Sequence, residues 1–318
     1  MKILIFGNGQ VGAFYLNHYQ GTGNEAKIAV GVDVTNFEAV DQAIADFTPD
    51  VVINTAAATN LEWVGKNRLQ AFNANVLGAG NIAKACDQRG VYMVHFSSGC
   101  IFSSFSADDA KTENSAPNPS AYYGWTKVWS EEIVNFERSA DFQALILRPR
   151  QPISASVSPK NMLVKMLTFS KFVDTPNSCT VLEDLMFWTD ELIARKTTGV
   201  YHVANSGYTT PYQIAQLVKE HILPDLAPEK IQKAELDKLT PNTRVDTVLD
   251  VSKLENLGIK VTPLQERLPE IIRQLGENLR GTDKAELKAY LEKTAEASRE
   301  RTVLNEVYPD LYKEAVSV

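Results

Sequence analysis

The 318-residue sequence predicts an α/β fold, a doubly wound parallel sheet with a smaller C-terminal lobe and a helical C-terminal tail. Three observations carry that expectation. Short, bulky apolar runs alternate with longer amphipathic stretches, a glycine-rich turn joins the first run to the first helix, and the alternation loosens after Pro149.

The runs at 2–6, 51–54, 92–97 and 144–148 read as strands buried on both faces. Residues 27–35 must supply the second strand. Between the runs, 37–47 places Ala39, Val40, Ala43 and Ile44 on one helical face, and 71–86 is rich in Ala, Leu and Ile. Pro152, Pro159 and Pro176 mark a segment that leaves the sheet. Residues 199–204 look like a returning strand, followed by a helix over 212–221. Past Gly281, Asp283 and Glu286 stand like a capping box ahead of Leu287, Tyr290 and Leu291. The expected division is 1–150 plus about 181–205 for the sheet domain, 151–180 plus 206–280 for the lobe, and 281–318 for the appendage.

With 44% hydrophobic residues, a net charge of −7 and no Lys/Arg block, the chain has a core-forming composition and lacks the basic field that nucleic acid or an anionic membrane would need. Cys86, Cys100 and Cys179 form an odd, sparse set without metal-ligand spacing, so no metal is expected. The N-terminus opens directly into an apolar run, and a reducing cytoplasm is the expected compartment.

Gly7-Asn8-Gly9-Gln10-Val11-Gly12 follows the first strand and opens a helix. Glycines there permit a tight turn and let backbone N–H groups approach a pyrophosphate at the helix N-terminus, which makes the sheet domain Rossmann-type and dinucleotide-binding. A turn needed only for packing is the alternative. Asp33 either accepts from the adenosine end of the cofactor or caps the helix that begins near Asn36. With no arginine beside it, NAD and NADP both stay open.

Tyr123 and Lys127 have the Y-x-x-x-K spacing that brings both to one helical face. A nearby ammonium favours the phenolate and is expected to bring a phenol of pKa about 10 toward working range. Ser98 lies just past the fourth run, where its hydroxyl can hold the oxygen that the tyrosine protonates. If the chain stays extended there, Cys100 points the same way as Ser98. A small buried hydrophobe is the other reading of that cysteine.

GNGQVG, VVINTAAATN, AFNANVLGAGNIAKAC, SSGCIF, YYGWTK, GVYHVANSGYTT and RVDTVLDVSKL resemble the extended short-chain dehydrogenase/reductases of the dTDP-4-dehydrorhamnose reductase type, over most of residues 1–275. SSGCIFSS, LILRPRQPIS, SPKNMLVK and PNSCTVLEDL further resemble the nucleotide-rhamnose synthase, or epimerase-reductase, proteins. Those epimerise C3 and C5 of a nucleotide-linked 4-keto-6-deoxyhexose and then reduce C4. The family writes its cradle one residue longer and carries a basic residue near Val32; here neither holds. Relatives also tend to have Cys-Glu where this chain has Val64-Gly65.

The resemblance implies Ser98, Tyr123 and Lys127 as reductase residues and Cys100 with Lys165 as the epimerisation acid/base pair. It places Asn75 and the loop Ala56, Ala57 and Ala58 beside the cofactor. Thr59, Arg148, Arg150, Asn161, Asn177, Ser178 and Arg244 are implied on the substrate side, with arginine suited to a diphosphate and a structural ion pair as its alternative. The implied cofactor is NADPH or NADH, the former favoured by the family. The implied partners are a nucleotide sugar and a second copy of the chain. Dehydration at C4 and C6 is disfavoured, because Gly99 and Cys100 follow Ser98 where dehydratases place an acidic pair. A reading from another class is a cofactor-binding regulatory subunit, like the β subunit of methionine adenosyltransferase.

Overall fold

The computed structural model describes residues 1–104, 106–136, 138–239, 244–283 and 288. Among them the strands, in chain order, are β1 (Lys2–Phe6), β2 (Glu25–Ile28), β3 (Val51–Asn54), β4 (Tyr92–Phe96), β5 (Ala144–Arg148), β6 (Pro152–Ile153), β7 (Lys171–Val173), β8 (Thr180–Val181), β9 (Gly199–His202) and β10 (Glu229–Ile231). The helices that matter below are α1 (Gln10–Gly21), α2 (Phe37–Phe47), α3 (Leu61–Lys66), α4 (Arg68–Phe72), α5 (Gly78–Arg89), α6 (Tyr122–Asn135), α7 (Met162–Met166), α8 (Leu182–Ala194) and α9 (Pro211–His221).

The main sheet is parallel throughout, in the order β2-β1-β3-β4-β5-β9. Strand order reverses between β1 and β3, and a crevice therefore opens at their carboxyl ends, where α/β sheets of this kind bind ligands. Alternation along β1 sends Ile3 and Ile5 to one face and Leu4 and Phe6 to the other. The first face packs against Tyr15 and Tyr19 of α1 and Leu185 and Trp188 of α8; the second packs against Val40 and Ile44 of α2, Ile82 of α5 and Val134 of α6. Both faces are covered, so the strands carry continuous apolar runs.

β2 starts and stops earlier than the sequence implied. Gly31 adopts φ of 79° and Val30 N–H turns back onto the Ile28 carbonyl, so the chain leaves the sheet after Ile28. Residues 29–34 are thereby free to line the crevice. β6 pairs with β8 and β7 with β10 in two small parallel ribbons outside the main sheet. A separate apolar cluster lies there, built from Leu163, Val164, Phe172, Ile214, Val218, Ile271 and Leu275 among others. Thr210 and Gln213 form a reciprocal capping box that starts α9 at Pro211. A last helix, α10 (Leu264–Gly281), packs into that apolar cluster; the appendage expected beyond it lies, apart from Thr282, Asp283 and Lys288, outside the described residues.

Candidate active site

The glycine turn is folded hard against the loop after β3. Gly7 has φ of 105°, and a Cβ there would stand 2.6 Å from Ala56 N; a Cβ on Gly12 would stand 1.9 Å from the Gly7 carbonyl oxygen. Thr55 Oγ1 donates to the Phe6 and Gly7 carbonyls at 3.0 and 3.2 Å and ties β3 to the turn. At Gly9, the N-cap of α1, a Cβ would meet no atom of the described residues within 4 Å, none of their side chains caps the helix, and its first turn holds no acid. The positive end of α1 is thus left for an external anion. Beside it lies a cavity of about 440 Å³ lined by Gly7, Asn8, residues 28–34, Ala56, Ala57 and Ala74. The buried Gln10 side-chain amide has a nitrogen with no partner among the described residues. These features fit a dinucleotide. Val11, by contrast, packs into the core beneath α1.

Asp33 lines the same cavity. Its carboxylate accepts from Thr35 N and Thr35 Oγ1, each at 2.9 Å, and these bonds hold it below the usual carboxylate range. It is not the cap of α2. Asn36 takes that place, accepting from Ala39 N at 3.0 Å, because the cap must sit next to the first helical residue.

Tyr123 and Lys127 sit one turn apart on α6 as the spacing predicts. Gly124 lets that helix approach the loop after β4, for a Cβ there would lie 2.6 Å from the Cys100 carbonyl oxygen. The loop itself departs from expectation. Past Ser98 the chain closes a 3₁₀ turn over Gly99–Ile101, and Cys100 N–H donates to Ser98 Oγ at 3.1 Å. The extended backbone inferred from the sequence is absent, because the serine hydroxyl caps the turn. The turn still brings Cys100, Ser98, Tyr123 and Lys127 together: Ser98 hydrogen-bonds the Tyr123 phenol, and Cys100 lies within electrostatic reach of both Tyr123 and Lys127.

The electrostatics also correct one expectation. Burial pushes the Tyr123 phenol above its ordinary value, with Cys100 adding to the rise and Ser98 and Arg150 opposing it. The expected lowering by Lys127 does not occur in the protein alone, since burial penalises phenolate more than the neighbouring donors favour it. Lys127, 2% exposed, is itself lowered to about 8 by burial, against the opposing pull of Glu131.

Beneath Lys127 runs a chain of buried polar groups. Asn54 Oδ1 accepts from Ala56 N at 3.0 Å, so its amide nitrogen faces His95 Nδ1, 3.1 Å away. That donation makes Nδ1 the acceptor and puts the His95 proton on Nε2, 3.0 Å from Ser130 Oγ. Ser130 in turn donates to the Lys127 carbonyl at 2.8 Å. Burial, and then Lys127, hold His95 well below its ordinary value, which keeps it neutral.

Asn75 lies in a π-helical turn (Asn73–Leu77) between α4 and α5. Its amide accepts from Ala58 N at 2.6 Å and donates to the Ala58 carbonyl at 3.0 Å and to Thr126 Oγ1 at 2.9 Å. All of these bonds go to the protein. Asn75 therefore clamps the Ala56–Ala58 loop to α6 rather than presenting a free amide to a cofactor.

Several residues expected on the substrate side are engaged elsewhere. Arg148 is paired in a fork with Glu131 at 2.8 and 2.6 Å and also donates to the Glu113 carbonyl, which makes it the structural ion pair of the two alternatives. Asn161, fully buried, caps α7 and holds the Ser154 and Ser156 carbonyls. Ser178, also fully buried, accepts from Leu249 N at 3.0 Å. Asn177 accepts from Arg150 at 2.6 Å and from Thr247 N at 3.0 Å. Burial with their own side chains already engaged leaves these three to shape the pocket. Arg150 does reach the cluster, donating from Nη1 to Cys100 Sγ at 3.3 Å. Lys165 is half-buried on α7, and burial followed by the charge of Arg244 lowers it. Arg244 meets Glu62 of α3 at 2.7 Å, and Thr59 is exposed on the adjoining loop.

A family model described as the RmlD substrate binding domain matches residues 1–277. The chain belongs to that family. It is 28% identical over 240 residues, 72% of this chain and 78% of the relative, to a bifunctional dTDP-4-dehydrorhamnose 3,5-epimerase/dTDP-4-dehydrorhamnose reductase of Arabidopsis thaliana. It is 29% identical over 240 residues to a trifunctional UDP-glucose 4,6-dehydratase/UDP-4-keto-6-deoxy-D-glucose 3,5-epimerase/UDP-4-keto-L-rhamnose-reductase of the same plant, of which it spans only 35%. Among solved structures it is similar to the L780 UDP-rhamnose synthase of Acanthamoeba polyphaga mimivirus, with a TM-score of 0.79 at 25% identity over 86% of this chain and 99% of that one. A dTDP-4-dehydrorhamnose reductase of Bacillus anthracis, in complex with NADP, shares the fold at 22% identity and a TM-score of 0.76.

This RmlD-type site also contains Asn54, His95, Thr126, Ser130 and Glu131, none of which is among the site residues expected from the sequence. A signal was present: Asn54 and His95 are polar residues inside otherwise apolar strands, and a buried polar group demands a partner.

Proposed function

We propose that the protein reduces a nucleotide-linked 4-keto-6-deoxyhexose with NADPH or NADH, after epimerising it at C3 and C5. The observation that carries this reading is the convergence of Ser98, Cys100, Tyr123, Lys127 and Arg150 at the carboxyl end of β4, two strands along the same sheet edge from the glycine cradle after β1. Gly7, Gly9 and the α1 N-terminus would hold the dinucleotide, which would supply the hydride for C4. Tyr123, kept protonated by its raised pKa, gives its proton to the C4 oxygen while Ser98 donates a hydrogen bond to the same atom. For epimerisation the same two hydroxyls stabilise negative charge on that oxygen as a proton leaves the neighbouring carbon. Cys100 and Lys165 are assigned the removal and return of that proton, and the lowered pKa of Lys165 suits a group that must also exist unprotonated.

Arg244, paired with Glu62, and the buried Arg150 are assigned to recognition of the diphosphate, since a guanidinium can bind it in a two-point fork. The relatives reported above are reductases and rhamnose synthases, which favours the enzyme reading, and a subunit that only bound cofactor would have no use for a buried Ser-Tyr-Lys set. Among the described residues no helix is long and apolar enough to cross a membrane. We further assign a second copy of the chain to the aromatic face of α6, where Trp125 and Trp129 stack 6.0 Å apart and stay exposed beside Trp63 and Leu69.

The test is incubation with UDP- or dTDP-linked 4-keto-6-deoxyglucose in D₂O with either dinucleotide, followed by NMR of the product. Oxidation of the cofactor with deuterium at C3 and C5 is expected, and Tyr123→Phe should lower the reduction rate by about 10²–10⁴-fold. No cofactor oxidation with either nucleotide sugar overturns the proposal.

A further inference from the structure

Arg148 and Arg150, two residues apart at the end of β5, are both about 95% buried, yet among the described residues only one of them has an anionic partner. Arg148 has Glu131. Arg150 Nη2 donates to two neutral oxygens, Asn177 Oδ1 at 2.6 Å and the Val245 carbonyl, and Nε has no partner among the described residues. Among the described residues no carboxylate lies within 4 Å of it. A buried cation without a counter-charge is costly. The group it does meet is Cys100 Sγ, 3.3 Å from Nη1.

The fold goes to some length to keep that arrangement. Thr180 Oγ1 accepts from Arg150 N at 2.9 Å, and the next residue, Gln151, is held at a φ of 40°, in the left-handed region that a non-glycine residue enters at a cost. Asn177, which aims Nη2, is itself fixed by Thr247 N and Asp246. Gly99 leaves room for the arginine stem, since a Cβ there would lie 3.3 Å from both Arg150 Cβ and Cδ. The glycine and the cysteine of Ser98-Gly99-Cys100 therefore serve one contact.

We propose that Arg150 is the counter-ion of Cys100: its guanidinium holds the sulfur as thiolate and aims it into the pocket, and the same cation faces Tyr123, linking the epimerising and reducing groups. This rests on the assignment of Cys100 as the epimerising base. The step balances as a proton transfer. Thiolate takes the proton from the carbon next to the ketone, an S–H bond forms as the C–H bond breaks, and the bonding pair becomes the enolate whose oxygen Ser98 and Tyr123 hold. Arg150 keeps its charge throughout, stabilising thiolate before the transfer and enolate after it.

The experiment is alkylation of the full-length protein by iodoacetamide at pH 7 without substrate, followed by mass spectrometry, for wild type, Arg150→Gln and Arg150→Lys. Thiolate is the reacting form, so Cys100 labelling should slow by about tenfold or more in Arg150→Gln and partly recover in Arg150→Lys. Cys86 and Cys179, both fully buried, serve as unlabelled internal controls. If Arg150→Gln fails to fold, Arg150→Lys against wild type carries the comparison, with slowing of about threefold expected because an ammonium lacks the fixed fork. Equal labelling rates in a folded variant would overturn the proposal and give the guanidinium to the substrate alone. The underlying assignment is tested separately: if Cys100→Ala still exchanges deuterium at C3 and C5 while labelling depends on Arg150, the contact stands and the epimerase role falls.

Discussion

Asn75 Nδ2 donates to Thr126 Oγ1 at 2.9 Å, and Thr126 in turn donates to the Tyr123 carbonyl at 2.7 Å. One amide thus connects the loop after β3 to the helix that bears the tyrosine. Replacing Asn75 by Ala leaves Ala58 N–H and C=O without their partner, a loss of about 2 kcal/mol in stability. The loop that lines the cofactor crevice then loses its anchor. Thermal unfolding should fall by several degrees and dinucleotide affinity, measured by fluorescence titration, by about tenfold, while unchanged affinity would show that the loop is held by packing alone.

Gly9 and Gly12 should separate folding from binding. A methyl group at Gly12 collides with the Gly7 carbonyl at 1.9 Å, so Gly12→Ala is expected to destabilise the cradle itself. Gly9→Ala has open space around the new carbon and a φ of −86° that alanine adopts freely. It should keep the wild-type melting temperature within about 1 °C yet weaken dinucleotide binding by tenfold or more, because the methyl occupies the approach to the pyrophosphate. Calorimetric titration of the two variants checks both halves.

Lys127 is a buried ammonium whose pKa falls from 10.5 to about 8 on folding. Between those values the unfolded chain binds more protons than the folded one, so stability climbs with pH across that window; below pH 8 the full penalty, about 3 kcal/mol, is present. Lys127→Met is therefore expected to melt higher than wild type at pH 7 while losing turnover. The advantage should shrink above pH 8 and vanish near 10.5. A variant that melts lower at pH 7 would place more of the lysine's interaction energy with Glu131 than burial allows.

Leu69, 69% exposed, and Trp125, 41% exposed, belong to the face assigned to a second copy. Trp125→Arg should convert a dimer to a monomer in sedimentation velocity, with little change in melting of the separated subunit. A wild-type protein that sediments as a monomer at micromolar concentration would end that assignment.

The sequence alone determined the parallel sheet, the glycine turn and the placing of Tyr123 and Lys127 one turn apart on a helix, because each rests on local rules: apolar runs, glycines that a turn requires, and a four-residue spacing that is a helix turn. It was also right about residues 37–47 and 51–54, whose burial pattern follows directly from their composition. Only the tertiary structure decided which polar residue faces the pocket and which serves the scaffold. Arg148 and Arg150 look equivalent along the chain, and their fates differ because Glu131, from α6, reaches one and not the other. Asn161, Asn177 and Ser178 lie in stretches that resemble a substrate wall, yet their partners come from segments 5 to 71 residues away. Hydrogen bonds and buried charges are satisfied across such distances, and no local pattern in a single chain records which partner will arrive.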